Sequence, residues 1–305
     1  VSVRPRPTTL IEAPRLADRL GVRLIIATET FQHTGSFKFR AAHNVAASVP
    51  HPRILTASSG NFGQAMAFAA KLFGKGCTVV MPHNSAAVKI DAVRALGANV
   101  DLVNTTQVSR AARLSQLAAA DPEAYVASPY DDPHVIEGNS TLGSELAALK
   151  ADVVVAPIGG GGLTSGLIVG LRRAGASTSV VAAEPAIAND AAQSLRVGHV
   201  VRQEKEPQTM ADGARTLSIG ERNWAILREG LTGVVEVPEA AIAEGLRLAF
   251  TLANLKVEPT GALGLGALLT EPARFAGKTV VCVVSGGNVD PETYATLLRG
   301  SPTTG

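Results

Sequence analysis

Val153-Val154-Val155-Ala156-Pro157-Ile158-Gly159-Gly160-Gly161-Gly162-Leu163 is the stretch from which the fold can be read. Its first five residues are a short apolar run rich in β-branched side chains, the pattern of a strand buried on both faces. Four glycines then turn the chain, and helical period resumes over residues 165–173. Working outward, similar runs recur at 22–27, 54–57, 77–81, 100–103 and 124–127 on one side, and at 180–184, 234–237 and 279–284 on the other. Helical stretches lie between most of them. Residues 10–20 also have helical period and end at Gly21. Short apolar strands alternating with helices predict an α/β protein whose parallel sheets are covered on both faces. Four strands with compact links fill residues 51–129, and Pro129-Tyr130-Asp131-Asp132-Pro133 then breaks the pattern. The expected organisation is a small domain, 51–129, inserted into a larger one made of 1–50 and 130–305.

Composition narrows the function. The chain has 305 residues, 46% hydrophobic and 18% charged, with a formal net charge of +2 and scattered basic residues. No phosphate-backbone footprint is visible, so nucleic acid is not an expected partner. No apolar run approaches the eighteen or so residues that cross a bilayer, and no leader pattern opens the chain, which points to a cytoplasmic protein. Cys77 and Cys282 lie inside apolar strand runs and read as small core hydrophobes rather than as a disulfide or thiolate site. The polar tail 300–305 is expected to fray.

Four motifs carry chemistry. In Thr34-Gly35-Ser36-Phe37-Lys38-Phe39-Arg40, Gly35-Ser36 reads as a turn and N-cap before a helix with one apolar stripe, Phe37, Ala41, Ala42, Val45 and Ala46. Lys38, in the first turn between two phenylalanines, is placed where a charged ammonium is disfavoured, so its amine can serve as a Schiff-base nucleophile or general base. A lysine lying along the surface is the plain alternative. The tetraglycine turn lets successive N–H groups converge on one phosphate. It lacks both the Lys-Ser/Thr of a Walker loop and the spaced glycines of a dinucleotide fingerprint, so a phosphate monoester is expected rather than ATP or NAD. Thr56-Ala57-Ser58-Ser59-Gly60-Asn61-Phe62-Gly63-Gln64, again a strand end opening a helix, offers hydroxyls, an amide and helix N-terminal N–H groups to a carboxylate or phenolate oxygen. Ser285-Gly286-Gly287-Asn288 ends an apolar strand at the carboxyl edge, where open α/β sheets bind ligands.

Gly-Ser-Phe-Lys-x-Arg, Ser-Ser-Gly-Asn-x-Gly-Gln, Gly-Gly-Gly-Gly-Leu and Ser-Gly-Gly-Asn, in this order and spacing, resemble the fold type II pyridoxal-phosphate enzymes, and among them the serine/threonine dehydratases and serine racemases. The likeness runs from about residue 7 to residue 290, with Thr209-Met210-Ala211-Asp212-Gly213, Glu258-Pro259-Thr260-Gly261-Ala262 and Glu145 as further markers. The resemblance implies a tryptophan synthase β-like fold with two open, twisted, parallel-type sheets, and a homodimer acting on a small amino acid. It implies that Lys38 holds pyridoxal 5'-phosphate as an imine and later removes the α-proton. Asn61 would bond the ring's 3' oxygen, Gly159, Gly160, Gly161, Gly162 and Leu163 would cradle the phosphate, Ser285 would face the pyridine nitrogen, and Phe37 would pack on the ring. Ser58, Ser59, Asn61 and the amide of Phe62 would hold the substrate carboxylate, with Arg110 reaching across from the small domain. The implied reaction is elimination of water from a β-hydroxy amino acid such as L-threonine or L-serine, giving a 2-oxo acid and ammonia. Ser59, if it reprotonates the opposite face, would add racemisation.

Glu184-Pro185-Ala186-Ile187-Ala188-Asn189-Asp190 resembles the divalent-cation loop of the racemase-like members, with Glu184, Asp190 and the Ala188 carbonyl as oxygen ligands for Mg²⁺ or Ca²⁺. Two solvated acids on a loop are the alternative reading. The sequence departs from the family pattern at Phe62, where histidine is common, at Asn139-Ser140 in place of Gln-Gly, and at Ala41 in place of glycine. The Phe62 departure leaves substrate identity open, with serine, threonine, 3-hydroxyaspartate and phenylserine as candidates. No regulatory C-terminal domain is expected. The competing functions are a serine racemase, a β-replacement synthase of the cysteine synthase type, against which the Ser-Ser-Gly-Asn-Phe-Gly loop argues, and a nonenzymatic binding protein, which would leave Lys38 without a purpose.

Overall fold

A computed structural model describes residues 3–58 and 60–300. The apolar runs form strands β1 (Thr9–Glu12), β2 (Arg23–Thr28), β3 (Arg53–Ala57), β4 (Gly76–Pro82), β5 (Asn99–Val103), β6 (Ala124–Val126), β7 (Val153–Pro157), β8 (Ser179–Pro185), β9 (Leu231–Val237) and β10 (Thr279–Val284). The helices are α1 (Pro14–Leu20), α2 (Lys38–Ser48), α3 (Asn61–Leu72), α4 (Ala87–Ala95), α5 (Arg110–Ala120), α6 (Pro133–Ala147), α7 (Gly162–Arg173), α8 (Asp190–Val197), α9 (Glu221–Gly230), α10 (Glu239–Ala253), α11 (Pro259–Thr270), α12 (Pro272–Phe275) and α13 (Pro291–Arg299).

Two sheets result. One has six strands in the order β1-β2-β10-β7-β8-β9, and the other has four in the order β5-β4-β3-β6. Among the described residues every pairing between these strands is parallel except β1 on β2. The α/β class with parallel-type sheets is therefore the observed one, and β1 is its single antiparallel edge. Side chains alternate across the larger sheet: Val153, Val155, Val280, Cys282 and Val284 enter the apolar cluster on one face, and Val154, Ala156, Val281 and Val283 the cluster on the other. Burial on both faces is why these strands read as unbroken apolar runs. The cluster on the four-stranded sheet also takes in Phe39, Ala41, Ala42 and Val45 of α2.

The local readings needed three corrections. Residues 10–20 are not one helix: Thr9–Glu12 pairs with β2 in alternating exposure, and Pro14 starts α1. Proline is tolerated at the first helical position but breaks a helix interior, so it marks the boundary. Ser36 is not an N-cap, because α2 begins at Lys38 with Phe37 in the cap position and no side-chain cap. Ser36 instead pairs as an isolated antiparallel bridge with Gly286. The helix after the tetraglycine also starts earlier than the period from residue 165 shows, at Gly162. The tail beyond Gly300 lies outside the described residues. Among the described residues no helix is long and apolar enough to cross a membrane.

This topology positions the site. Strands β2, β10 and β7 are neighbours, and their carboxyl ends lead respectively into the Lys38 turn, Ser285 and the tetraglycine. From β7 the chain runs outward through β8 and β9 and then returns to β10 on β7's other flank, so the strand order reverses between β7 and β10. A crevice opens at such a reversal.

Candidate active site

The Lys38 side chain is half-buried, and its amine lies 4.9 Å from the centroid of the Phe37 ring and 5.5 Å from that of Phe62. Lys38 Nζ donates to the Pro129 carbonyl at 2.8 Å. Burial brings this amine down to about 8, against the pull of the Glu258 carboxylate. A neutral, nucleophilic amine thus becomes available near neutrality. Two residues on, Arg40 is buried and holds α2 in place. Its guanidinium donates to Glu29 at 2.8 and 2.9 Å, to Glu145 at 2.6 and 3.0 Å, to Thr141 Oγ1 at 2.9 Å and to the Arg6 carbonyl at 3.1 Å.

Asn61 Nδ2 donates to Glu258 Oε1 and Oε2 at 2.9 and 3.1 Å, and its Oδ1 accepts from Asn288 Nδ2 at 2.9 Å. Asn288 Nδ2 also donates to the Thr34 carbonyl, at 2.7 Å, in the turn before Lys38. The β3–α3 loop, the Lys38 turn, the Glu258 segment and the Ser285 loop are therefore tied by one hydrogen-bond network. Glu258 is buried, and burial with Asp212 nearby pushes its carboxyl up to about 8, against the Asn61 hydrogen bond and the Lys89 and Lys38 charges. Ser285 is buried, and its Oγ has no partner among the described residues.

The tetraglycine leaves β7 and opens α7, with Gly161 at φ +94° as the N-cap. A side chain here would collide: a Cβ on Gly160 would lie 2.2 Å from Tyr130 Cγ, and one on Gly161 2.9 Å from Asn223 Cβ. Ser58 Oγ accepts from the Gly60 N–H at 3.4 Å, and α3 starts at Asn61 without a side-chain cap. Phe62 is buried, its ring beside the Lys38 amine. Arg110, at the start of α5, stands 3.9 Å from Glu206. Ser59 lies outside the described residues.

Glu184, Ala188 and Asp190 are all buried, at the end of β8 and the start of α8, which removes the reading of two solvated acids. The Glu184 carboxylate accepts from the Ala192 and Ala191 N–H groups at 2.7 and 3.1 Å, and Asp190 Oδ2 has no partner among the described residues. Burial pushes the Glu184 carboxyl well up, with Asp190 repulsion adding to it, and burial raises Asp190 to about 6. Among the described residues no group of three or more His, Cys, Asp or Glu side chains is arranged to hold a metal ion. A cation here would rest on two carboxylates, a main-chain carbonyl and water. Both cysteines are free and buried, their thiols pushed up to about 12 by burial.

The sequence reading assigned no role to Tyr130, Asn223, Glu258 or Asn288. Glu258 and Asn288 stood inside quoted motifs, so their presence was legible. Asn223 has no local signal: a lone asparagine in Gly220-Glu221-Arg222-Asn223 gains meaning only from what lies opposite it.

A family model described as pyridoxal-phosphate dependent enzyme matches residues 1–286. An L-threo-3-hydroxyaspartate ammonia-lyase of Saccharomyces cerevisiae is 36% identical over 299 residues, covering 96% of this chain and 91% of that protein. An L-threonine ammonia-lyase of Geobacter sulfurreducens is 36% identical over 303 residues, covering 97% of this chain and 75% of that protein. The crystal structure of a threonine deaminase from T.th. superposes with a TM-score of 0.87 at 40% identity, covering 93% of this chain and 92% of that one. The pocket suits the group that such enzymes carry: a low-pKa amine for an aldehyde, a glycine turn without side chains for a phosphate, and a buried, unpartnered Ser285 hydroxyl for a ring nitrogen.

Proposed function

The chain belongs to the pyridoxal-phosphate dependent enzymes, and from that membership we propose that it deaminates L-threo-3-hydroxyaspartate in preference to L-threonine and L-serine, by elimination of water. Deamination of a β-hydroxy amino acid is the activity in the names of the ammonia-lyases it resembles. The observation that carries the chemistry is the Lys38 amine, brought to about 8 by burial and held between Phe37 and Phe62.

Bound pyridoxal phosphate supplies an electron sink that stabilises negative charge at the substrate α-carbon. The protein supplies position and proton traffic. Lys38 Nζ takes the α-proton, the Cβ–O bond breaks, and the proton returned from Lys38 converts the leaving hydroxide to water. The enamine product then tautomerises and is hydrolysed, so that one β-hydroxy amino acid gives one 2-oxo acid and one ammonium ion. Ser58, Asn61 and the N–H groups opening α3 are the groups we assign to the α-carboxylate. A second carboxylate on the β-carbon calls for a cation, and Arg110, half-exposed with only a 3.9 Å contact to Glu206, is our candidate. We also assign a divalent cation to Glu184, Asp190 and the Ala188 carbonyl, supported by two adjacent buried acids with an unpartnered oxygen. Its test is a rise in melting temperature with added Mg²⁺ or Ca²⁺ that disappears in Asp190→Ala.

The decisive assay measures ammonia and 2-oxo acid together from L-threo-3-hydroxyaspartate, L-threonine and L-serine. The proposal expects all three activities to vanish in Lys38→Ala, and kcat/KM to be greatest for hydroxyaspartate. Arg110→Ala is expected to lower kcat/KM for hydroxyaspartate about tenfold or more, and for threonine much less. A holoenzyme that binds these amino acids without releasing ammonia would overturn the reaction. An unchanged substrate ranking in Arg110→Ala would overturn the assignment of that residue.

A further inference from the structure

The glycine turn is shaped from behind. Asn223 is fully buried on α9, and its Nδ2 donates to the Gly160 carbonyl at 2.7 Å and to the Tyr130 carbonyl at 3.1 Å. The Gly160 carbonyl takes a second hydrogen bond from the Gly220 N–H at 3.0 Å. The Gly161 carbonyl accepts from the Ser165 N–H at 2.8 Å, and the Gly162 carbonyl from Asn139 Nδ2 at 3.0 Å. Three successive carbonyls are thus drawn toward protein donors.

In a trans peptide the N–H of one residue points opposite to the carbonyl of the residue before it. Pulling the carbonyls of Gly160, Gly161 and Gly162 one way therefore turns the N–H groups of Gly161, Gly162 and Leu163 the other way. None of these three N–H groups meets an acceptor among the described residues. They lie at the N-terminus of α7, where the helix dipole adds positive potential. Tetraglycine alone would not hold this arrangement, since glycine populates many backbone states about equally. The restraint comes from outside the turn. Tyr130 packs where a Gly160 side chain would lie, and the Asn223 Cβ sits where a Gly161 side chain would lie.

We propose that Asn223 is a positioning residue for the cofactor phosphate: by holding the Gly160 and Tyr130 carbonyls from behind, it keeps the Gly161, Gly162 and Leu163 N–H groups aimed as one anion cradle. Asn139 does the same for Gly162 from α6. The inference rests on the cofactor assignment and is independent of which amino acid is the substrate.

The test uses the holoenzyme and two readouts besides turnover, the ³¹P resonance of the bound phosphate and the rate at which cofactor leaves during dilution. In Asn223→Ala the phosphorus resonance is expected to move toward that of free pyridoxal phosphate and cofactor loss to accelerate about tenfold or more. The visible absorption maximum, which reports the ring and Lys38, is expected to stay in place. Asn223→Ser, which returns a short donor, should give intermediate values and serves as the test variant if the alanine protein does not fold. Exchange against phosphate-free pyridoxal separates the phosphate from the ring, because its binding should change less than about twofold in the same variants. A phosphorus resonance and loss rate equal to wild type, or equal weakening of pyridoxal and pyridoxal phosphate, would overturn the proposal. A wild-type protein without a visible band would instead count against the cofactor assignment itself.

Discussion

At the scale of single residues, two ionisable groups stand out, the half-buried Lys38 and the buried Glu258. Burial disfavours the charge on Lys38 and brings its amine down to about 8, and in the proposed function this amine is the nucleophile, so replacing it by alanine is expected to abolish the visible absorption of the bound cofactor and to lower turnover by at least about 10²–10⁴-fold. Absorption spectra and ammonia release measure both. Glu258 presents the opposite sign. Its carboxyl is pushed up to about 8 from an ordinary 4.5, so between those values the folded protein holds a proton that the unfolded chain releases. Stability contributed by this group is present at acid pH and is lost as the pH rises toward 8. Glu258→Gln removes that loss, and its melting temperature relative to wild type is expected to be higher at pH 9 than at pH 5. Parallel melting curves at both pH values would contradict the assignment.

Elements fix the geometry that these residues use. Helix α2 carries Lys38, and its placement depends on Arg40 bridging Glu29, at the end of β2, and Glu145 on α6. Removing the arginine strands a buried carboxylate, so Arg40→Met is expected to cost about 3–5 kcal/mol in chemical unfolding. The turn into α7 is equally intolerant for a different reason. Gly161 has φ +94°, and an added Cβ would meet Asn223 and Leu227 at 2.9 Å. Gly161→Ala combines backbone strain with overpacking, each worth roughly 1–3 kcal/mol. Its cofactor should dissociate faster and its melting temperature should fall.

For the whole molecule, two ion pairs join the helices of the four-stranded sheet to the segment between α8 and α9: Lys89 to Asp212 at 3.4 Å and Arg110 to Glu206 at 3.9 Å. All four side chains are at least about a third exposed, so each pair contributes no more than about 1 kcal/mol. Pairs this weak would yield readily if the two sheets moved relative to one another. The Asn61 bond to the buried Glu258 also joins the four-stranded part to the larger one. We expect the four-stranded sheet to close on the larger one when a substrate analogue binds, and X-ray scattering should record a smaller radius of gyration. Superimposable profiles with and without the analogue would remove this expectation.

Strands β2 to β10, the α/β class and the four glycine- and lysine-containing motifs were legible in the sequence because each rests on local physics: buried strands are continuously apolar, and glycine is the default residue where backbone approaches a ligand closely. The Thr9–Glu12 strand was not legible, since four residues of alternating pattern outweigh helical period only when β2 offers a partner. The same limit hid the roles of Asn223, Tyr130 and Glu258, and it turned Ser36 from an apparent cap into a bridge partner of Gly286. A hydrogen-bonding side chain acquires its role from the atom opposite it, and here those atoms are 63 residues away for Asn223 and Gly160 and 197 for Asn61 and Glu258. The sequence by itself determined which chemistry is present. Only the tertiary structure decided which groups hold it in place, because that depends on strand order bringing distant segments together at the carboxyl ends of β2, β10 and β7.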